Sequence, residues 1–158
     1  ISVTITNGIA NILPQDVDNG SYDAFDIASL ALSDSSFDCS DIGENTVTLT
    51  VTDNNGNVAA ADATVTVVGA VPGTPVIKVT RNDNTYTGGD ANTIFLGYGA
   101  QKLRLIATNS ADTGITYTWT PAANLSNANI ANPEFSPTVA GTYIYNATAT
   151  NSYGCTAS

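Results

Sequence analysis

Thr46–Thr52 reads Thr-Val-Thr-Leu-Thr-Val-Thr, Asp53-Asn54-Asn55-Gly56-Asn57 follows, and Val58–Val68 continues as VAAADATVTVV. Apolar and polar residues alternate along the first segment, so Val47, Leu49 and Val51 share one face and the threonines take the other. Period two over seven residues fits a half-buried strand and no helix. The Asn-Asn-Gly tip supplies residues that tolerate positive φ, and the second segment returns with Val65 and Val67 in the same alternation. The pair predicts an antiparallel hairpin with one face in a core.

The same signals extend in both directions. Ile1–Ile5 alternates up to Asn7-Gly8, a hairpin signal, and Asn11–Leu13 resumes before Pro14. Ile27–Leu32 alternates again. Gly69-Ala70-Val71-Pro72-Gly73-Thr74-Pro75 cannot continue a strand, because proline lacks the ladder donor, and it reads as a short, stiff linker. Val76–Thr80 restarts the pattern, Asn82-Asp83-Asn84 turns and Gly88-Gly89-Asp90 loops. Thr93–Leu96, Lys102–Ala107, Thr116–Thr120 and Gly141–Thr150 are expected strands. The expected fold is all-β: two tandem Ig-like antiparallel β-sandwiches with almost no helix, at residues 1–69 and 76–158, joined by a linker at 70–75. The second lacks its final strand in this reading. The expected cores are Ile5, Val47, Leu49, Val51, Val65 and Val67, then Leu105, Trp119, Tyr143 and Tyr145.

Composition narrows the chemistry. The chain has 158 residues, no His and no Met, and a net charge of −10. Without His, Ser–His–Asp and Cys–His catalysis and most zinc sites are excluded. Ten carboxylates precede Gly69 (Asp16, Asp18, Asp23, Asp26, Asp34, Asp38, Asp41, Glu44, Asp53 and Asp62) with no Lys or Arg among them. The other four acids are balanced by Lys78, Arg81, Lys102 and Arg104. A half with no base cannot grip a polyphosphate, so nucleic acid is not an expected partner. No apolar run approaches the ~20 residues a spanning helix needs, so membrane insertion is not expected either. Cys39 and Cys155 fall in different halves and make no disulfide framework by themselves.

Two sets of side chains are candidate sites. Asp16, Asp18, Asp23 and Asp26 lie within eleven residues, beside Asn19 and Gly20. Oxygen ligands on a loop suit Ca²⁺, although Ile27 stands where an EF-hand loop would place its Glu. The competing reading is that these carboxylates satisfy their own turns. Asp53, Asn55 and Asn57 belong to the hairpin tip in the same sense. Tyr86, Phe95, Tyr98 and Tyr153 lie near loops or turns and are candidates for stacking on carbohydrate, whereas Trp119, in mid-strand, reads as core. Paired carboxylates for glycoside hydrolysis would need a cleft and a raised pKa that a domain of this size cannot build. No catalytic residue is expected, and the chain is read as a non-enzyme.

The first half resembles the hyalin-repeat-like modules of gliding bacteria, which are exported by type IX secretion. The resemblance rests on Asp16–Ser21, Ile27–Leu30, Phe37-Asp38-Cys39-Ser40 and Asn45–Asp53 running into Asn55-Gly56-Asn57. The second half is similar to the PKD/Ig-like module that follows such repeats, through Thr93–Gly99, Tyr117-Thr118-Trp119, Asn132-Pro133, Ala140–Tyr143 and Thr150-Asn151. The resemblance implies an extracellular module, secreted or attached to the cell surface. It would serve as a structural or adhesive stalk of a large, tandem-repeat bacterial adhesin of the gliding-motility type. Its partners would be neighbouring repeats of the same polypeptide and surface polysaccharide. The alternative is a carbohydrate-binding accessory module of a secreted polysaccharide-degrading enzyme. The repeat family carries Cys where this chain has Phe25 and Ala61, which implies that those two positions normally pair and that Cys39 bonds a cysteine upstream of Ile1.

Overall fold

The computed structural model describes residues 1–82, 84–109 and 113–158. Nearly all regular structure in it is β: among the described residues the one helix is α1, Pro14–Val17. No helix there is long and apolar enough to cross a membrane. The chain divides into two compact units, Ile1–Ala70 and Val71–Ser158.

In the first unit the hairpin of β5 (Gly43–Asp53) and β6 (Val58–Val68) is the frame, in register from Gly43 opposite Val67 to Thr52 opposite Val58. Its alternation seals Val47, Leu49, Val65 and Val67. β3 (Ile27–Leu32) pairs with β5, Leu30 opposite Val51 and Leu32 opposite Leu49. β1 (Ser2–Thr4) lies on the far side of β6 and runs parallel to it, a departure from the expected all-antiparallel order.

The Asn7-Gly8 turn forms, with φ of 54° and 85°, and Thr6 and Ile9 bridge across it. It does not return the chain to the same sheet, however. β2 (Ile9–Asn11) pairs with β4 (Ser36–Asp38) as a separate two-stranded layer. The reason is burial: Ile5 comes from one side of the turn, Ala10 and Ile12 from the other, and Phe37 from β4, and all are buried. Val51 is only half-buried, against the expectation, because its partner Ala59 is exposed and the hairpin tip runs past the covered part of the sheet.

In the second unit β8 (Leu103–Thr108) is flanked by β7 (Val76–Arg81) and β10 (Glu134–Phe135). β11 (Asn146–Thr150) is flanked by β9 (Thr116–Thr120) and β12 (Thr156–Ala157). Leu103, Leu105, Ala107 and Phe135 of one sheet meet Trp119 and Ala147 of the other in a single core. The Trp119 indole N–H, buried with the ring, donates to the Ile130 carbonyl at 2.9 Å, as a buried indole requires.

Several expectations are corrected here. Thr93–Leu96 and Gly141–Tyr145 are not strands; neither finds a neighbouring ladder, and the long strand expected from Gly141 starts at Asn146. Tyr143 is 37% exposed and Tyr145 half-buried, because each ring keeps its hydroxyl at the rim. The Tyr143 O–H donates to the Val139 carbonyl at 2.7 Å and that of Tyr145 to the Ala123 carbonyl at 2.6 Å. The last element, β12, is two residues long and pairs with β11. Of the Asn82-Asp83-Asn84 turn, Asp83 lies outside the described residues.

Neither of the chain's two cysteines is a free thiol. Cys39 and Cys155 are both disulfide-bonded.

Candidate functional site

Between β7 and β8 the described residues of 84–101 contain no strand, and loops of this length are uncommon unless they serve a purpose. This one is pinned at its base. The Thr85 hydroxyl is buried, accepts the Lys102 N–H at 3.1 Å and lies 2.7 Å from the Lys102 carbonyl. Lys102 bridges to Glu134 at 3.0 Å, and the Asn82 side-chain amide donates to the same carboxylate. The Lys102 hydrogen bond, and then that of Asn82, hold the Glu134 carboxyl below its ordinary value. Higher in the loop, Asp90 accepts the Asn92 N–H at 2.9 Å, and the Tyr98 N–H closes a turn on the Phe95 carbonyl at 3.1 Å.

This scaffold brings three of the four aromatic candidates together. The Tyr86 ring centre lies 5.3 Å from that of Phe95 and 5.0 Å from that of Tyr98, both tilted. These are ring-pair distances at which aromatics attract beyond simple burial. Yet the three side chains remain 51%, 45% and 63% exposed. Gly88 is required here on two counts. Its φ is +61°, and a Cβ would stand 2.9 Å from the Phe95 ring. Tyr153 does not join the group; it is half-buried in the Asn151–Cys155 loop, where its N–H donates to Asn151.

Phe95 also borders a groove of about 630 Å³, walled by Ile94, Leu96, Phe135, Val139 and Tyr143 among others. That volume is in the range of small-ligand clefts. Phe135, which lines the groove with Tyr143, meets the rings of Tyr143 and Tyr145 edge-on. Sequence reading missed this groove because its walls come from two loops some forty residues apart. The run Ile94–Leu96 was a signal of it, but one indistinguishable from a short strand.

The four aspartates of the first unit are placed differently. Asp16 accepts the Leu13 N–H at 2.7 Å at the start of α1. Asp18 accepts the Ser21 N–H and hydroxyl at 3.0 and 2.5 Å, and the hydroxyl bond in particular lowers its pKa. Asp23 accepts the Phe25 N–H at 2.8 Å, and Asp26 sits at a φ of 69°. A small pocket of about 150 Å³ is lined by Asp23 and Asp53 but by none of Asp16, Asp18 and Asp26. Among the described residues no three acidic or cysteine side chains converge as a ligand set. Asp16, Asp18 and Asp23 each accept a backbone N–H of their own turn.

Asp53 shows the same chemistry at the hairpin tip. Nearly buried, it accepts the N–H groups of Asn55 and Asn57 at 2.8 Å each and the Asn57 side-chain amide at 2.7 Å. The Asn57 amide is the main cause of its lowered pKa. No family model matches the chain, and no curated protein matches it.

Proposed function

We infer that the chain is a non-catalytic structural and adhesive module of a large extracellular bacterial surface protein, of the type IX-secreted, gliding-associated kind. The observation that carries the adhesive part is the Tyr86–Phe95–Tyr98 cluster: three large rings held at a surface by a pinned loop instead of being buried. Ordering such a loop and leaving its rings in water is unfavourable unless something covers them. Two further observations support the structural part. The acidic side chains that dominate the first unit are engaged as turn acceptors, and both cysteines are disulfide-bonded, the state an oxidising, extracellular environment maintains.

The groove beside Phe95 favours a second reading, a carbohydrate-binding accessory module of a secreted polysaccharide-degrading enzyme. Both readings place a glycan on the same rings, whose faces suit the C–H faces of pyranose sugars. The test is binding of the intact chain to a glycan array and to insoluble polysaccharides, with a Tyr86→Ala/Tyr98→Ala variant alongside. Binding by the parent that the variant loses is the expected result. A parent that binds no glycan would leave a spacer alone and remove the adhesive role.

A further inference from the structure

Asn82, Lys102 and Glu134, which pin the base of the aromatic loop, are also a chemically reactive set. The Asn82 N–H donates to the Lys102 carbonyl at 3.2 Å, which carries the β7–β8 pairing one step past Arg81 opposite Leu103. Residues paired across two strands turn their side chains to one face, with Cβ atoms about 4.5–5.5 Å apart. β10 lies on the other side of β8 and sets Glu134 opposite Arg104. Leu103 and Phe135 take the core face, so Lys102, Arg104 and Glu134 share the opposite one. Three neighbouring strands thus bring together an amine, a carboxamide and a carboxylate. The Lys102 Nζ donates to Glu134 Oε2 at 3.0 Å, and the Asn82 Nδ2 donates to Glu134 Oε1.

A lysine–glutamate pair at a surface is ordinary and contributes little by itself. What sets this one apart is the second carboxylate oxygen. It takes the side-chain amide of an asparagine only 7% exposed, so one carboxylate bridges a nucleophile and the amide that nucleophile could attack. The backbone beneath them is fixed. The Thr85 N–H donates to the Asn82 carbonyl at 3.2 Å, and the Thr85 hydroxyl lies 2.8 Å from the same oxygen. Holding two reacting groups side by side replaces a bimolecular encounter with a unimolecular one. A carboxylate in contact with both can take a proton from the amine and deliver it to the leaving nitrogen.

We propose that the Lys102 amine and the Asn82 carboxamide join in an intramolecular amide bond, with Glu134 carrying the protons. The Lys102 ammonium gives a proton to the Glu134 carboxylate, and the freed amine attacks Asn82 Cγ. Glu134 passes that proton to the departing nitrogen, the old C–N bond breaks, and ammonia leaves. The proton shed by the new amide nitrogen reaches the ammonia through Glu134 and makes it ammonium. One C–N bond forms and one breaks, no oxidant is consumed, and Glu134 ends as the carboxylate it began as. The bond closes residues 82–102 into a covalent ring at the foot of Tyr86, Phe95 and Tyr98. This goes beyond the glycan reading and does not depend on it. The test is the intact mass of the full, reduced chain after incubation at alkaline pH, which frees lysine amines. A mass one ammonia below that of the sequence is expected, with no tryptic cleavage after Lys102 and a branched peptide joining it to Asn82. Lys102→Arg keeps the charge without a reactive amine, and Glu134→Gln keeps the shape but cannot carry the proton. Both should fold by circular dichroism and hold the full sequence mass; should either misfold, the branched peptide of the parent still decides. A parent that stays at its sequence mass would overturn the proposal. So would an ammonia loss that persists in either variant; in Lys102→Arg it would mark a succinimide at an Asn-Gly pair such as Asn7-Gly8.

Discussion

Leu105→Ala is the most direct test of the second unit's core. Leu105 is 6% exposed and packs in one cluster with Trp119, Leu103 and Phe135. The substitution deletes three carbon groups, at about 0.8 kcal/mol each in transfer free energy. The cavity left against the rigid indole adds to that, placing the total near 3 kcal/mol within the roughly 2–5 observed for buried Leu→Ala changes. For a domain of this size ~1 kcal/mol moves the midpoint by roughly 4–8 °C, so a fall of roughly 12–24 °C is expected. Trp119 is the chain's one tryptophan and lies in this core, so its fluorescence reports the affected transition alone. Ile144→Ala is the control: at 77% exposed, it should stay within about 0.5 kcal/mol of the parent. A Leu105→Ala midpoint within ~4 °C of the parent, or an equal loss in the control, would refute the assignment of the core.

The first unit should lose stability in acid for an identifiable reason. Asp18, Asp38 and Asp53 all titrate below their ordinary value of 3.8, because hydrogen bonds from Ser21, Ser40 and Asn57 favour the charged form. A lowered native pKa means that the unfolded chain takes up protons first. The stabilisation is therefore whole above the ordinary value and is lost as pH falls through the native ones. Acid unfolding followed by circular dichroism should show this, and Asp53→Asn should destabilise at neutral pH while reducing the acid sensitivity; an unchanged pH profile would contradict it. Calcium should shift the first unit's melting no further than sodium at matched ionic strength, since its aspartates already serve their turns. A calcium-specific rise that Asp18→Asn/Asp23→Asn removes would reverse that conclusion.

Whatever depends on neighbours along the chain was legible before any fold was known. Val47, Leu49, Val65 and Val67 could be assigned to a core because side chains alternate faces with period two. Asn7-Gly8 announced a reversal because these residues accept positive φ at little cost. The absence of His and the lack of any base before Lys78 removed whole classes of chemistry before any geometry was known. Tertiary structure decided what depends on which segments meet. Asn7-Gly8 turns as expected, but where β2 goes next was settled by Ala10 and Phe37 burying each other's layer against Ile5. Thr93–Leu96 has a strand's composition and no ladder to join, so it became a groove wall. Asp16, Asp18 and Asp23 are close in sequence and yet serve separate turns, because each finds a backbone donor two or three residues away. Tyr86, Phe95 and Tyr98 were each nominated singly, and only the loop's pinning by Thr85, Lys102 and Glu134 made them one surface. Periodicity states which way a side chain points; what it points at is fixed by contacts between residues far apart in the chain.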